Sequence, residues 1–130
     1  MEILNLSTRL KVKGRVARHA DLLAYCGCIS LTCLFWQEPY ILVVLYVLLT
    51  LLILINRKGT EEAALFLAGF LLGPIAELAC VLSGAWQYSG AQWPIPVWLP
   101  FAWGIASVLI YRIARYNLYL NANRSSKNVP

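Results

Sequence analysis

Apolar residues in this chain gather into four long runs instead of alternating with polar ones. The first spans about Ala20 to Trp36. The second spans Tyr40 to Ile55, with Thr50 its one clearly polar member. The third runs from about Ala63 to Trp86 with Glu77 inside it, and the fourth from about Val97 to Ile113. A helix needs about 17–25 apolar residues to cross the hydrocarbon of a bilayer, so the first, second and fourth runs must draw on their interfacial flanks. Strands fit poorly, because a membrane barrel needs at least about eight of them and shows alternation. The pattern predicts an all-α, polytopic membrane protein with four transmembrane helices.

Polar residues divide the chain further. Residues 1–18 mix Leu4, Leu6, Leu10, Val12 and Val16 with Arg9, Lys11, Lys13, Arg15 and Arg18, and read as a basic amphipathic cytoplasmic lead-in. Residues 19–116 form the four-helix transmembrane domain, and residues 117–130 a polar cytoplasmic tail expected to be disordered. No Lys or Arg lies between the first two runs or between Gln87 and Pro96. Arg57 and Lys58 separate the second and third runs, and Arg112, Arg115, Arg124 and Lys127 follow the fourth. All the cations then fall on one side, which places both termini in the cytoplasm and the protein in the cytoplasmic (inner) membrane as a multi-pass protein. A cleaved signal peptide would share the basic start and apolar core, but no small-x-small site follows the first run. The basic lead-in either sets orientation or docks on anionic lipid, where each Lys or Arg is worth about 1 kcal/mol.

Composition agrees. Of 130 residues 60% are apolar and 13% charged, with a mean hydropathy of +0.65; soluble domains have roughly 45–50% and about 25%. The net charge of +5 is absorbed by membrane orientation, so nucleic acid is not an expected partner. Cys26, Cys28, Cys33 and Cys80 match no zinc spacing and read as small apolar fillers, and no metal or cofactor is expected. His19 and Asp21 read as solvated residues at the inner mouth of the first helix.

Candidate chemistry centres on Glu77. It lies about 15 positions beyond Glu62, roughly 22 Å of helix rise, and about nine before Trp86, roughly 14 Å. An acid at the middle of a span costs on the order of 2.5–3.5 kcal/mol, which marks it as a group facing the bundle. It either donates a proton or binds a cation, or is a structural acid hydrogen-bonded across helices. Gly69, Gly73 and Glu77 share one helix face, continued by Cys80, Val81 and Gly84, and such a face lets another helix approach closely. Pro74 is expected to kink the third helix. Depth arithmetic brings Trp103, Tyr46, Thr50 and Ser30 to the level of Glu77. The outer segment from Trp86 to Pro100 holds Trp86, Tyr88, Trp93 and Trp98 with three prolines, and is either a lid over a cavity or an aromatic belt with a rigid turn.

Between Gly73 and Gly104 the chain reads Gly-Pro-x-x-Glu77, Gly84-x-Trp86-x-Tyr88, Ile95-Pro96, Trp98-Leu99-Pro100 and Trp103. This pattern resembles carotenoid-synthesis membrane proteins of the bacterioruberin-hydratase type, and small bacterial four-helix membrane proteins of unassigned role. The resemblance covers about a quarter of the chain and implies that Glu77 is the counterpart of that family's intramembrane acid. The expected function is binding or acting on an apolar lipid or isoprenoid, with Glu77 as the catalytic candidate. Tyr46, Thr50, Gly73, Trp86, Tyr88, Trp98 and Trp103 are the candidate binding residues. Two alternatives stand beside it. One is an assembly subunit docking a partner helix on the glycine face; the other is a small oligomeric proton-coupled transporter. The partners expected are the lipid bilayer, an apolar small molecule, and a second copy or a partner helix.

Overall fold

The computed structural model describes residues 2–55, 60–90 and 93–125, with side chains for 17, 19–55, 60–90 and 93–118. Four helices follow in order: α1 (Glu2–Phe35), α2 (Pro39–Ile55), α3 (Thr60–Leu82) and α4 (Leu99–Ser125). No strand occurs among the described residues. The cations at 9, 11, 13, 15, 18 and 124 lie outside the described side chains, and Arg57, Lys58 and Lys127 lie outside the described residues altogether. The lead-in is helical and continuous with the first apolar run, and α4 continues into the polar tail as far as Ser125.

Local sequence explains where the helices begin and end. Glu38 caps α2 through its carbonyl, which accepts from the Leu42 amide at 3.1 Å. Pro39 occupies the first helical position, where its missing N–H costs nothing. At the far end of α3 the Ala85 amide donates to the Cys80 carbonyl and the Gly84 amide to the Val81 carbonyl, both at 3.0 Å. Gly84 sits at φ +79°. That is a Schellman cap, whose left-handed residue favours glycine. The cap stops α3 at Leu82, four residues before the apolar run ends, so Trp86 lies in the following loop. Pro74 does not interrupt α3.

The chain divides into two compact units. The first joins the chain up to Cys26 to the chain from Leu109 onward. Here Arg112 Nη1 donates to Asp21 Oδ1 at 3.2 Å, with the two side chains only 8% and 11% exposed. Asp21 is therefore not the solvated residue expected. The acid is buried, and the residue that neutralises it lies 91 positions away.

The second unit, Gly27–Val108, holds the candidate site. Leu42, Tyr46, Thr50 and Ile53 form the buried face of α2, at the three- and four-residue spacing of one helical stripe. Trp98, Leu99, Ile105 and Val108 supply the core from the start of α4. The α3–α4 contact is built on glycine. A Cβ at Gly73 would run into the Trp103 side chain, one at Gly69 into Trp103 and Ser107, and one at Gly104 into the Phe66 ring. Beside this seam, Phe70 meets Phe101 edge to face with ring centres 5.1 Å apart. The glycine face is thus a packing face filled from within the chain.

By length and composition α3 is able to cross a membrane: its apolar window has a mean hydropathy of 2.2, and only 11% of that window is buried inside the protein. His19–Phe35 and Pro39–Ile55 are shorter apolar helical segments.

Candidate functional site

The site grows out of the Schellman turn. By reversing the chain at Gly84, the cap brings the loop back along the last turn and a half of α3. Trp86 Nε1 then donates to Glu77 Oε2 at 3.2 Å, and the Tyr88 hydroxyl donates to the same oxygen at 2.9 Å. Glu77 is half-buried under this loop. The 14 Å separation expected between Glu77 and Trp86 assumed an unbroken helix; the turn replaces it with a hydrogen bond.

None of the four depth-matched candidates donates to Glu77. Tyr46 belongs to a second polar cluster, with its hydroxyl 2.6 Å from Thr32 Oγ1 and 3.1 Å from the Cys28 carbonyl. Thr32 Oγ1 also reaches that carbonyl, at 3.0 Å. Two hydroxyl protons serve these three contacts, so one contact goes without a proton at any instant. Thr50 Oγ1 donates back to the Tyr46 carbonyl at 2.8 Å, satisfying itself within α2. Trp103 packs over Gly73. Ser30 is exposed.

A cavity of about 540 Å³ opens beside Tyr88. Its aromatic walls are Trp36 from the end of α1, Tyr40 from α2, Tyr88 and Trp93 from the loop, and Trp98 from the approach to α4. Trp98 is 8% exposed and stacks on the Tyr46 ring, with centres 6.2 Å apart. Thr32, Gln37 and Ser89 are the polar lining residues. Tyr88 alone belongs to both arrangements: it lines the cavity, and its hydroxyl is held by Glu77. Glu77 itself does not line the cavity.

Of the candidate residues read from sequence, the structure brings together Glu77, Trp86 and Tyr88, and separately Tyr46 and Trp98 with Thr50 behind them. Gly73 and Trp103 form the helix seam. Sequence reasoning did not reach Thr32, Trp36 and Tyr40 as lining residues, and reached Trp93 only within the outer segment read as a lid or an aromatic belt. The available signal was an aromatic pair flanking the α1–α2 turn, a stretch that, like the aromatic loop, carries no Lys or Arg. No cluster of three or more His, Cys, Asp or Glu suited to a metal occurs among the described residues.

Burial first, then the hydrogen bond to Glu77 and that residue's charge, push the Tyr88 hydroxyl up from its ordinary 10.0 to about 12. A group whose value rises on folding stabilises the fold fully below its unfolded value and loses that contribution as pH climbs through the folded one. The loop anchorage is therefore expected to weaken between pH 10 and about 12. In a tyrosinate absorbance titration Tyr88→Phe should remove a late-titrating component, and Glu77→Gln should move that component toward ordinary tyrosine. A wild-type curve with no late component would contradict the assignment.

Comparison with family models, with curated proteins and with solved structures finds no match for this chain.

Proposed function

We propose that this chain is a multi-pass protein of the cytoplasmic membrane that binds an apolar small molecule, of lipid or isoprenoid type, in the aromatic cavity. The observation that carries the reading is the double role of Tyr88, a wall of the cavity fixed in place by an acid beneath the loop. Two donors, from Trp86 and Tyr88, converge on one Glu77 oxygen, which suits a wall that must be in place before a ligand arrives. Ligand pockets of about 300–1,000 Å³ lined by aromatic groups with a few polar ones are the ordinary form of small-molecule sites.

Membrane residence is supported by what the fold leaves uncovered. Among the described residues, twenty-three large apolar side chains are exposed and eight are buried. Exposed apolar surface on this scale suits an apolar surrounding such as a bilayer. Cations at both ends of the chain and between α2 and α3 support cytoplasmic termini, with the aromatic loop outside. Glu77 stands behind Tyr88 and not in the cavity wall, which favours binding over chemistry on the ligand. The glycine face that a docking subunit would use is occupied by α4.

One preparation tests these points. Alkaline carbonate should leave the protein in the membrane fraction, and an impermeant thiol reagent should label Ser89→Cys in intact cells. Organic extraction of detergent-purified protein, read by mass spectrometry, should release a near-stoichiometric apolar compound that is depleted in Trp98→Ala. Extraction by carbonate, or an extract no different from that of Trp98→Ala, sinks the reading.

A further inference from the structure

Resting on that binding reading, we infer a charge for the ligand: the aromatic cavity takes an organic cation, a quaternary ammonium group bearing an apolar substituent. Three observations converge. Five of the lining residues are Trp or Tyr, and the faces of such rings carry negative electrostatic potential that attracts cations, most strongly when the cation is stripped of water. No Lys, Arg or His lines the cavity among the described residues. The acids lie close by: Glu38 sits in the chain between the lining residues Gln37 and Pro39, and Glu77 holds the hydroxyl of Tyr88.

The sequence extends this bias. No Lys or Arg occurs from residue 19 to 56 or from 59 to 111, so within these stretches the chain brings no cation of its own to the aromatic end. An anionic lipid head would find no lining Lys, Arg or His to offset its charge. A neutral hydrocarbon would gain apolar burial but nothing from the ring faces or the acids. A compact ammonium ion would find no lining carboxylate to replace its strong hydration. A quaternary ammonium group is weakly hydrated and apolar at its surface, and gains from the rings, the nearby acids and the apolar walls together. The volume suits such a head with a short substituent: 540 Å³ is room for about 18 groups at the ~30 Å³ that a water molecule occupies.

The test uses matched probes on the full chain in a nonionic detergent, followed by tryptophan fluorescence. Benzyltrimethylammonium is the cation, neopentylbenzene its uncharged carbon isostere, and phenylmethanesulfonate the anion. The cation is expected to bind about tenfold more tightly than the isostere, the scale of one desolvated cation–ring contact. Trp93→Leu should cut that preference several-fold, because it replaces a ring by an equally apolar side chain; Trp93 is 68% exposed, so the fold should tolerate the change. Glu77→Gln should lower affinity for the cation by a larger factor than affinity for the isostere. Equal binding of cation and isostere overturns the charge assignment while leaving an apolar site in place. Preference for the sulfonate overturns it too, and so does a cation preference that survives both substitutions. Failure of all three probes to bind overturns it as well, and the extraction experiment then decides separately whether the cavity holds an apolar molecule.

Discussion

Asp21→Ala is expected to destabilise strongly, by about 3–5 kcal/mol, because it removes the carboxylate that faces a buried guanidinium. The Arg112 and Asp21 side chains are 8% and 11% exposed, so little solvent is available to hydrate whichever charge remains. Arg112 makes a further interaction besides Asp21, which softens the loss. The reverse change, Arg112→Met, should cost a similar amount, since it leaves a carboxylate buried instead. The pair as a whole need not be strongly stabilising, because desolvating two charges offsets much of their attraction. The double variant Asp21→Leu with Arg112→Met should therefore recover most of the loss. Heat- or denaturant-induced unfolding in detergent measures all four proteins. Single variants within about 0.5 kcal/mol of wild type would show that the pair is solvated.

How far the sequence discloses this fold depends on the kind of signal involved. The apolar run from Tyr40 to Ile55 matches α2 almost to the residue, because Pro39 and Glu38 punctuate its start. The run ending at Trp86 overshoots α3, since apolar residues continue past the point where the backbone turns. Gly84 carried the missing information. Its place at the four-residue spacing suggested a packing face, whereas its work is to adopt positive φ in the cap. Once Gly84 is a cap, the hydrogen bonds from Trp86 and Tyr88 to Glu77 follow from the reversal. Glu77 stood out because an acid within an apolar run is costly; its partners did not, because depth arithmetic along straight helices cannot anticipate a loop folding back. The Asp21–Arg112 pair leaves no periodic trace at all, with its members 91 residues apart. Small residues at four-residue spacing were the better guide, since Gly69 and Gly73 do admit α4 at close range.

Gly73→Ala provides the second large effect, an expected destabilisation of about 1–3 kcal/mol from overpacking. A methyl group at this position would approach three atoms of the Trp103 side chain to less than 3.0 Å, closer than real Cβ contacts come. Cβ and the indole ring atoms of Trp103 all crowd the position, so a small tip rotation cannot relieve the clash; the side chain must leave its rotamer or α4 must move away. Helix propensity alone predicts the opposite sign, because Ala is favoured over Gly by about 1 kcal/mol inside a helix. Gly27 isolates that propensity term, since a Cβ there meets nothing within 4 Å. Gly27→Ala should accordingly be neutral or stabilising by up to about 1 kcal/mol. The steric cause is tested by adding Trp103→Ala to Gly73→Ala. Removing the ring costs packing on its own, yet the two changes together should cost less than the sum of the singles, because the clash disappears with the indole. Additive losses would mean that the methyl group at residue 73 does not meet Trp103, and would place the α3–α4 seam elsewhere. A Gly73→Ala protein as stable as the Gly27→Ala one would remove the close approach of α3 and α4 altogether.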